Sequence, residues 1–351
     1  MSGRAKSTRD RYLEIARTIA ASKMLRFVPP HRLIEVKLAF DKYGSTQPAG
    51  YKINARLSPD DLAIIDELGQ LTHKEVHERT NQIAHALAAH GIGEGSRVAI
   101  LCRNSRWFVE AFVATLKLGA DGLLLNTAFA GPQLAQVIED QNADAVIMDE
   151  EYHSMLEGAL GDKPAFLGWV DNEDNPPLPT LDSLRAGQST EEPPAPSRTG
   201  RTIILTSGTT GKPKGAARAE PKGLKDLLAV AATIPYRRGD RMLVSAPLFH
   251  AWGFSNFSAS VMFGGTIVLR RRFDPEDVLQ TIEREQIDMQ IVVPVMLQRM
   301  LDIPEAKRRT YNVSSLRAVC ASGSALQGEL ATNFMDEFGD VLYNLYGSTE
   351  V

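Results

Sequence analysis

Short apolar runs and amphipathic stretches take turns along this chain from about residue 63 onward. A short apolar run predicts a buried strand, and apolar positions at helical spacing predict a helix. Strands that alternate with helices in this way favour a parallel sheet covered by helices on both faces, which is an α/β fold. The predicted strands lie at 97–102, 122–125, 145–148, 202–205, 242–244, 266–269, 289–293, 316–319 and 341–343. The predicted helices lie at 107–118, 134–139, 275–286 and 326–338.

A hairpin followed by a capped helix is predicted at the start of this alternation. Residues 63–65 and 70–72 flank an Asp-Glu-Leu-Gly turn, which is typical of two antiparallel strands. Thr72 is followed three residues later by Glu75, the pattern of a capping box, and Gly91 is suited to end the helix.

A polar, Pro-rich stretch at 171–200 interrupts the alternation and predicts a surface connector. We therefore divide the chain into three parts. These are a basic amphipathic N-terminal extension at 1–50, a first α/β subdomain with the connector at 51–200, and a second α/β subdomain at 201–351 that carries the candidate chemistry.

The first forty residues carry nine Lys and Arg against three acidic residues, with apolar positions at helical spacing. Two interpretations stay open: a helix packed on its own domain, or a surface helix in contact with an anionic membrane.

Composition excludes several classes of protein. With 351 residues and 43% hydrophobic content, the chain is large enough for a sizeable core. A formal net charge of −4 argues against a disordered polyelectrolyte and against a generally basic nucleic-acid binder. No apolar run is long enough to span a bilayer, so we expect a cytoplasmic protein. Cys102 falls in a predicted strand and Cys320 directly follows one, and burial there makes a thiol inert.

Two histidines could suggest a metal site. His73 and His77 lie one helical turn apart, but Lys74 stands where a zinc-binding His-Glu-x-x-His motif has its glutamate. We therefore expect both histidines to be solvated helix residues.

The strongest chemical signal is the segment Leu205-Thr206-Ser207-Gly208-Thr209-Thr210-Gly211-Lys212-Pro213-Lys214-Gly215, which follows an apolar strand. Glycines allow backbone N–H groups to approach an anion, while hydroxyls and lysines add donors and positive charge. The segment predicts a phosphate-binding loop. It is not a Walker A loop, because the pattern G-x-x-x-x-G-K-[ST] is missing.

This segment resembles the signature loop of the adenylate-forming (AMP-binding) superfamily, which includes the acyl-CoA synthetases. Three further segments are similar to motifs of that family and follow in the same order: Ala246-Pro247-Leu248-Phe249-His250, Ala321-Ser322-Gly323-Ser324-Ala325-Leu326 and Asn344-Leu345-Tyr346-Gly347-Ser348-Thr349-Glu350. The resemblance covers about residues 63–351 and is closest to bacterial, especially actinobacterial, fatty-acid CoA ligases. It implies the two stacked α/β subdomains of an acyl-CoA synthetase N-terminal domain, without the C-terminal lid domain and its catalytic lysine. We therefore expect this chain to be weakly active or inactive alone.

The resemblance also implies roles for individual residues. His250 would lie at the acyl carboxylate, Lys214 would neutralise the leaving pyrophosphate, Thr349 would donate to the α-phosphate, and Glu350 would bind Mg²⁺. The implied nucleotide-binding residues are Thr206, Ser207, Gly208, Thr209, Thr210, Gly211, Lys214, Gly323, Ser324, Ala325, Asn344, Tyr346, Gly347 and Thr349. Trp252 and Phe254 either line an acyl tunnel or are ordinary core aromatics.

The activity implied by the resemblance is ATP-dependent conversion of a carboxylic acid to acyl-AMP, followed by transfer of the acyl group to CoA. A medium- or long-chain fatty acid is the expected acid, with an aryl or short-chain acid left open. The expected partners are the fatty acid and CoA, without nucleic acid; a peripheral membrane contact through the N-terminal helix and a homodimer stay open. The alternative is a non-catalytic nucleotide- or acyl-binding protein, or a truncated gene product.

Overall fold

Two β-sheets organise the computed structural model, which describes residues 30–172, 174–207, 213–217 and 234–345. The helices of the described residues are α1 Pro30–Tyr43, α2 Gln47–Leu57, α3 His73–Ala89, α4 Arg106–Lys117, α5 Gly131–Asp140, α6 His153–Leu160, α7 Leu181–Arg185, α8 Ala251–Met262, α9 Pro275–Glu285, α10 Pro294–Leu301, α11 Glu305–Arg308 and α12 Gly328–Phe338. The strands are β1 Leu62–Asp66, β2 Gly69–Thr72, β3 Arg97–Leu101, β4 Asp121–Leu124, β5 Ala145–Met148, β6 Ala165–Leu167, β7 Thr202–Ser207, β8 Pro213–Ala217, β9 Arg241–Val244, β10 Thr266–Val268, β11 Met289–Val292, β12 Ala318–Ala321 and β13 Leu342–Asn344.

The strand predictions are confirmed, each with bounds within two residues of those observed. Among the described helices, none is both long and apolar enough to cross a membrane. The basic segment at 1–29 lies outside the described residues.

The first sheet has the strand order β6-β5-β3-β4-β7-β8, and all its neighbours are parallel except the antiparallel pair β7 and β8. The second sheet has the order β13-β12-β11-β9-β10-β1-β2, with β1 and β2 as its antiparallel pair. The short apolar strands of parallel sheets are buried because helices cover both faces. The α/β prediction is therefore confirmed.

The predicted hairpin and helix start are confirmed in detail. Ile64 pairs with Leu71 across β1 and β2. The Thr72 hydroxyl accepts a hydrogen bond from the Glu75 amide at 3.2 Å, and the Glu75 carboxylate accepts one from the Thr72 amide at 2.7 Å. These bonds satisfy two amides that the first turn of α3 leaves without a helical partner.

Each sheet contains strands from both sides of residue 200 in the sequence. The hairpin of β1 and β2 pairs with β10 in the second sheet, whereas β7 and β8 complete the first sheet. The boundaries 1–50, 51–200 and 201–351 stay a prediction about folding units. Within 171–200, the structure describes one short helix, α7, and otherwise irregular backbone.

All twelve residues of helix α4 are buried. A helix that is buried on every side has neighbours around its whole circumference. Phe112 makes edge-to-face contacts with Phe254 and Phe257 of α8, with ring centroids 5.1 and 6.5 Å apart. Each such pair adds about 0.5–1.5 kcal/mol beyond the area buried. Helix α4 lies between β3 and β4 of the first sheet in sequence, and it thereby links that sheet to α8, which follows β9 of the second sheet.

The expectation of two solvated histidines is wrong. His73 is 1% exposed and His77 is 9% exposed. The reason is tertiary: α3 packs against α2 and α4, and Glu192 of the connector lies over His77, with its carboxylate 3.4 Å from Nε2. Burial is the main cause that lowers the pKa of each histidine to about 4.

Candidate active site

Residues 245–250 leave the carboxyl end of β9 as a tightly bonded turn that ends at His250. The amides of Ser245 and Ala246 both donate to the carbonyl oxygen of Ile291 in β11, each at 3.0 Å. The His250 amide donates to the Pro247 carbonyl at 3.1 Å, and the His250 carbonyl accepts from Phe254 at 2.9 Å. His250 is therefore the N-cap residue of α8, with extended backbone angles.

The imidazole of His250 is accessible at the surface, yet the surrounding protein atoms displace enough water to lower its pKa below the ordinary value of 6.5. Desolvation disfavours the charged form. At neutral pH the ring is thus neutral, and one of its nitrogens can donate a hydrogen bond to a carboxylate.

The first turn of α8 lies against this segment. A Cβ atom on Gly253 would be 2.2 Å from the Pro247 carbonyl oxygen, so only glycine fits there. Trp252 is half-buried, and its indole N–H donates to the Val292 carbonyl at 3.0 Å, at the carboxyl end of β11. Phe254 is 3% exposed and packs in the core. The structure therefore separates the two aromatic candidates: Trp252 lies beside the strand ends, and Phe254 is a core residue.

The small-residue turn at 322–325 follows the carboxyl end of β12. Gly323, Ser324 and Ala325 are exposed, and Gly323 has a φ of +95°, a conformation that L side chains rarely adopt. The Ser322 amide donates to the Val292 carbonyl at 3.4 Å. A flat ligand could approach the backbone here, because no bulky side chain projects from the turn.

The last described strand, β13, carries the next motif. Asn344 pairs with Ala321 of β12 and is exposed, and the Leu345 amide donates to the Ala321 carbonyl at 2.9 Å. The residues Tyr346, Gly347, Thr349 and Glu350 follow directly and lie outside the described residues.

The predicted phosphate loop belongs to the hairpin of β7 and β8. Thr206 pairs with Lys214 and Ser207 pairs with Pro213, so the hairpin brings the two ends of the motif together. Gly208, Thr209, Thr210 and Gly211 lie outside the described residues. Ser207 ends β7, which runs parallel to β4, and therefore lies at the carboxyl edge of the first sheet.

The carboxyl edges of the two sheets meet. Arg106, which begins α4 just beyond β3, donates to the Asp66 carboxylate at the end of β1, with distances of 2.5–3.0 Å. Arg271, beyond β10, donates to Glu151 at 2.8 Å and stacks over Trp169, with 4.2 Å to the ring centroid. In open α/β sheets, ligands bind in crevices outside the carboxyl ends of the strands.

The candidate site is therefore the row of strand ends β9, β11, β12 and β13, which are consecutive neighbours in the second sheet. At about 4.8 Å per strand, this row extends roughly 14 Å. His250 lies at one end, Gly323 in the middle and Asn344 at the other end.

Within the described residues, metal or thiol chemistry would depend on a cluster of metal-binding side chains or on the two cysteines. The described residues hold no group of three or more His, Cys, Asp and Glu side chains arranged to bind a metal ion. The predicted magnesium ligand, Glu350, is outside them. Cys102 and Cys320 are buried as expected, and burial raises the pKa of the Cys320 thiol to about 12.

Asn104 is a residue at this edge that sequence reasoning missed. It lies between β3 and α4, and its buried amide contacts the backbone at 244–248. A polar residue just after a buried parallel strand was the available signal, since such positions lie at the carboxyl edge.

The family model described as AMP-binding enzyme matches residues 51–351. The 2-succinylbenzoate–CoA ligase of Bacillus licheniformis is 30% identical over 253 residues, which is 72% of this chain and 51% of the ligase. A feruloyl-CoA synthase of Amycolatopsis is 30% identical over 304 residues, which is 84% of this chain and 58% of the synthase.

Among solved structures, the o-succinylbenzoate CoA synthetase of Bacillus subtilis in complex with its acyl-adenylate intermediate is similar, with a TM-score of 0.70 and 27% identity. The match covers 86% of this chain and 58% of that chain. The predicted resemblance to the AMP-binding family and the predicted α/β fold class are confirmed. The chain spans about half to three fifths of the length of these relatives.

Proposed function

Because this chain belongs to the AMP-binding enzyme family, we propose that it takes part in the activation of a carboxylic acid by ATP and the transfer of the acyl group to CoA. In the first step, a carboxylate oxygen bonds to the α-phosphorus and pyrophosphate leaves. In the second, the CoA sulfur bonds to the acyl carbon and AMP leaves. The observation that supports this proposal is the row of strand ends that carries His250, Gly323 and Asn344 along one edge.

Each part of the row suits one part of the acyl-adenylate. The neutral imidazole of His250 would donate to the acyl carboxylate as it develops into the mixed anhydride. The exposed turn of Gly323, Ser324 and Ala325 would lie against the adenine, since it carries little side-chain bulk. Residues 206–214 of the hairpin would bind the departing phosphates, with Lys214 supplying positive charge.

The acid–CoA ligases of this family use ATP, Mg²⁺ and CoA. For this chain we propose Tyr346, Gly347 and Thr349 as nucleotide contacts and Glu350 as the magnesium ligand. A carboxylate together with phosphate oxygens is the coordination that Mg²⁺ prefers. The metal would draw electron density from the phosphates and so favour departure of pyrophosphate.

The acid has two candidates. A medium- or long-chain fatty acid is the candidate that the resemblance suggests. An aromatic acid is the second, because the relatives described above are named for succinylbenzoate and feruloyl substrates. The half-buried indole of Trp252 beside His250 offers a flat apolar surface that suits an aromatic ring.

The test is calorimetric titration of the 351-residue chain with three non-hydrolysable acyl-adenylate analogues: dodecanoyl-, feruloyl- and acetyl-sulfamoyl adenosine. We expect one of the first two to bind at least about tenfold more tightly than the acetyl analogue, a difference of roughly 1.4 kcal/mol. His250→Ala should weaken that binding, whereas the control His153→Ala, at the start of α6, should not. Absence of binding by all three analogues would overturn the proposal.

A second measurement separates an enzyme from a non-catalytic binding protein. Acid-dependent exchange of radiolabelled pyrophosphate into ATP reports the first step alone. Exchange above background would exclude a purely nucleotide- or acyl-binding role for this chain.

We also propose two associations of the chain for testing. Flotation with anionic vesicles, with and without residues 1–40, tests a peripheral membrane contact, and equal flotation of both forms would argue against it. Sedimentation equilibrium tests the homodimer.

A further inference from the structure

Asn104 is held between the two sheets by three hydrogen bonds to one segment of backbone. Its amide Nδ2 donates to the carbonyl oxygens of Val244 and Ala246, both at 3.0 Å. Its Oδ1 accepts from the Leu248 amide at 2.9 Å. The residue is 7% exposed, so water does not substitute for these bonds.

The bonded segment leads directly to His250. On its other side, it is fixed to the second sheet by the bonds from Ser245 and Ala246 to Ile291. Asn104 comes from the first sheet, two residues after the buried Cys102. The position of the segment relative to the first sheet therefore depends on this amide.

Only an amide satisfies the three backbone groups. A carboxamide presents two N–H donors and one oxygen acceptor, which is the set that two carbonyls and one amide require. Aspartate keeps the size and the acceptor but has no donor when ionised, and it would bring negative charge toward two carbonyl oxygens. Alanine leaves all three backbone groups without this partner. A buried polar group without a partner is costly, so the segment would shift.

We propose that Asn104 is a positioning residue for the acyl side of the site: by binding the backbone at 244–248 from the first sheet, it sets where His250 is held relative to the row of strand ends. Asn104 acts through the segment and does not itself touch the acid. This inference rests on the proposed function for the role of His250. The mechanical part, that Asn104 fixes the segment, stands on the hydrogen bonds alone.

Asn54, which bonds to the C-terminal end of α8, provides a matched control. Asn54 is also a buried amide, 8% exposed, and its Nδ2 donates to the Val261 carbonyl near the end of α8 at 2.7 Å. Replacement of Asn54 removes a buried amide bond to α8 without touching the residues before His250. Asn104→Ala, Asn104→Asp and Asn54→Ala therefore separate positioning from loss of stability.

Two measurements on the 351-residue chain test the proposal. The first is hydrogen exchange of peptic peptides that cover 245–250 and 259–264. Asn104→Ala and Asn104→Asp should speed exchange at 245–250 by at least about tenfold, the effect expected when buried hydrogen bonds worth roughly 1.4 kcal/mol are lost. Asn54→Ala should speed exchange at 259–264 instead.

The second measurement compares the affinity for the acyl-sulfamoyl adenosine that binds best with the affinity for AMP. Both Asn104 variants should lose about tenfold or more for the acyl analogue and change by less than about threefold for AMP. Asn54→Ala should change the two affinities by the same factor. Asn104→Asp, which is closer in volume, serves if the alanine variant fails to fold.

The outcomes distinguish the two proposals. If the unmodified chain binds no acyl analogue, the proposed function fails, and exchange at 245–250 still decides whether Asn104 fixes the segment. Unchanged exchange at 245–250 in both Asn104 variants would overturn the inference. So would equal losses of acyl-analogue and AMP affinity, because a purely structural role predicts them.

Discussion

Gly253 offers the sharpest test of the site geometry, because a single methyl group should force α8 and the His250 turn apart. A Cβ atom there would lie 2.2 Å from the Pro247 carbonyl oxygen, 2.7 Å from its carbon and 2.8 Å from the Ala246 carbonyl oxygen. All three are backbone atoms. Non-bonded carbon and oxygen need roughly 3.3 Å, so the two segments must separate by about 1 Å.

The loss of stability depends on the contacts that resist this separation. Helix α8 is anchored by Phe254 and Phe257 against Phe112, so it cannot withdraw without opening the core. Overpacking of this kind costs about 1–3 kcal/mol or more. Replacement of glycine by alanine in a helix returns at most about 1 kcal/mol through propensity. We therefore expect Gly253→Ala to lower the free energy of unfolding by roughly 2 kcal/mol.

Two other helical glycines calibrate the effect. A Cβ on Gly158 in α6 would have no atom within 4 Å, so Gly158→Ala should stabilise by about 0.5–1 kcal/mol. A Cβ on Gly50 in α2 would be 2.5 Å from a side-chain carbon of Val261, which can adjust more easily than backbone. The effect of Gly50→Ala on stability should therefore lie between those of Gly158→Ala and Gly253→Ala.

The assay is urea unfolding of the three variants, followed by tryptophan fluorescence, together with the affinity for the best acyl-sulfamoyl adenosine. We expect the order of stability Gly158→Ala, then Gly50→Ala, then Gly253→Ala, and a loss of analogue affinity only in Gly253→Ala. Equal stability of the Gly253 and Gly158 variants would refute the close approach of α8 to Pro247.

Three further predictions follow from single side chains or turns. Asp66→Ala should destabilise the chain by about 3–5 kcal/mol, because Arg106 would stay buried without its carboxylate partner. In urea unfolding, the double variant Asp66→Ala with Arg106→Leu should recover part of that loss. Absence of any recovery would contradict the pairing. Burial lowers the pKa of His73 to about 4, although Asp61 raises it, so below the ordinary histidine pKa of 6.5 the unfolded chain binds more protons than the folded chain. The free energy of unfolding should therefore fall by up to about 3 kcal/mol as the pH is lowered from 6.5 to 4. The urea midpoint of His73→Phe should fall less over the same pH range. Gly323→Ala should weaken AMP binding in calorimetry, since the φ of +95° would strain an alanine by about 1–3 kcal/mol, and unchanged affinity would argue against this turn as the adenine surface.

Local structure was predictable where the pattern depended on neighbours in sequence. The capping box of Thr72 and Glu75 needs only residues one turn apart, and the structure contains both of its bonds. Strand bounds were close for the same reason. The burial of His73 and His77 was not predictable, because it depends on α2, α4 and Glu192 reaching α3 from distant parts of the sequence.

The pattern also could not predict which sheet each strand joins. The hairpin of β1 and β2 reads as the start of the first subdomain, yet Ile64 pairs with Ile267 in the second sheet. Alternation of strands and helices indicates a parallel sheet, but it does not determine which strands are neighbours in that sheet. The phosphate loop was predicted from its glycines, hydroxyls and lysines, and the other motif residues were found through resemblance. Asn104 lies outside all of these motifs, which is why it was missed.

The contacts between the carboxyl edges suggest how the site obtains its geometry. Asp66 with Arg106, Asn104 with the backbone at 244–248, and Arg271 with Glu151 each join one sheet to the other at strand ends. Buried ion pairs contribute little net stability, because desolvation offsets their attraction, but removal of one partner is costly. Their main effect is therefore to disfavour any other placement of the two edges. Since the phosphate hairpin belongs to the first sheet and His250 to the second, a fixed placement is what sets the distance between the residues that would bind phosphate and those that would bind the acid. Variants at these contacts should consequently alter acyl-analogue binding before either sheet loses its protection from hydrogen exchange.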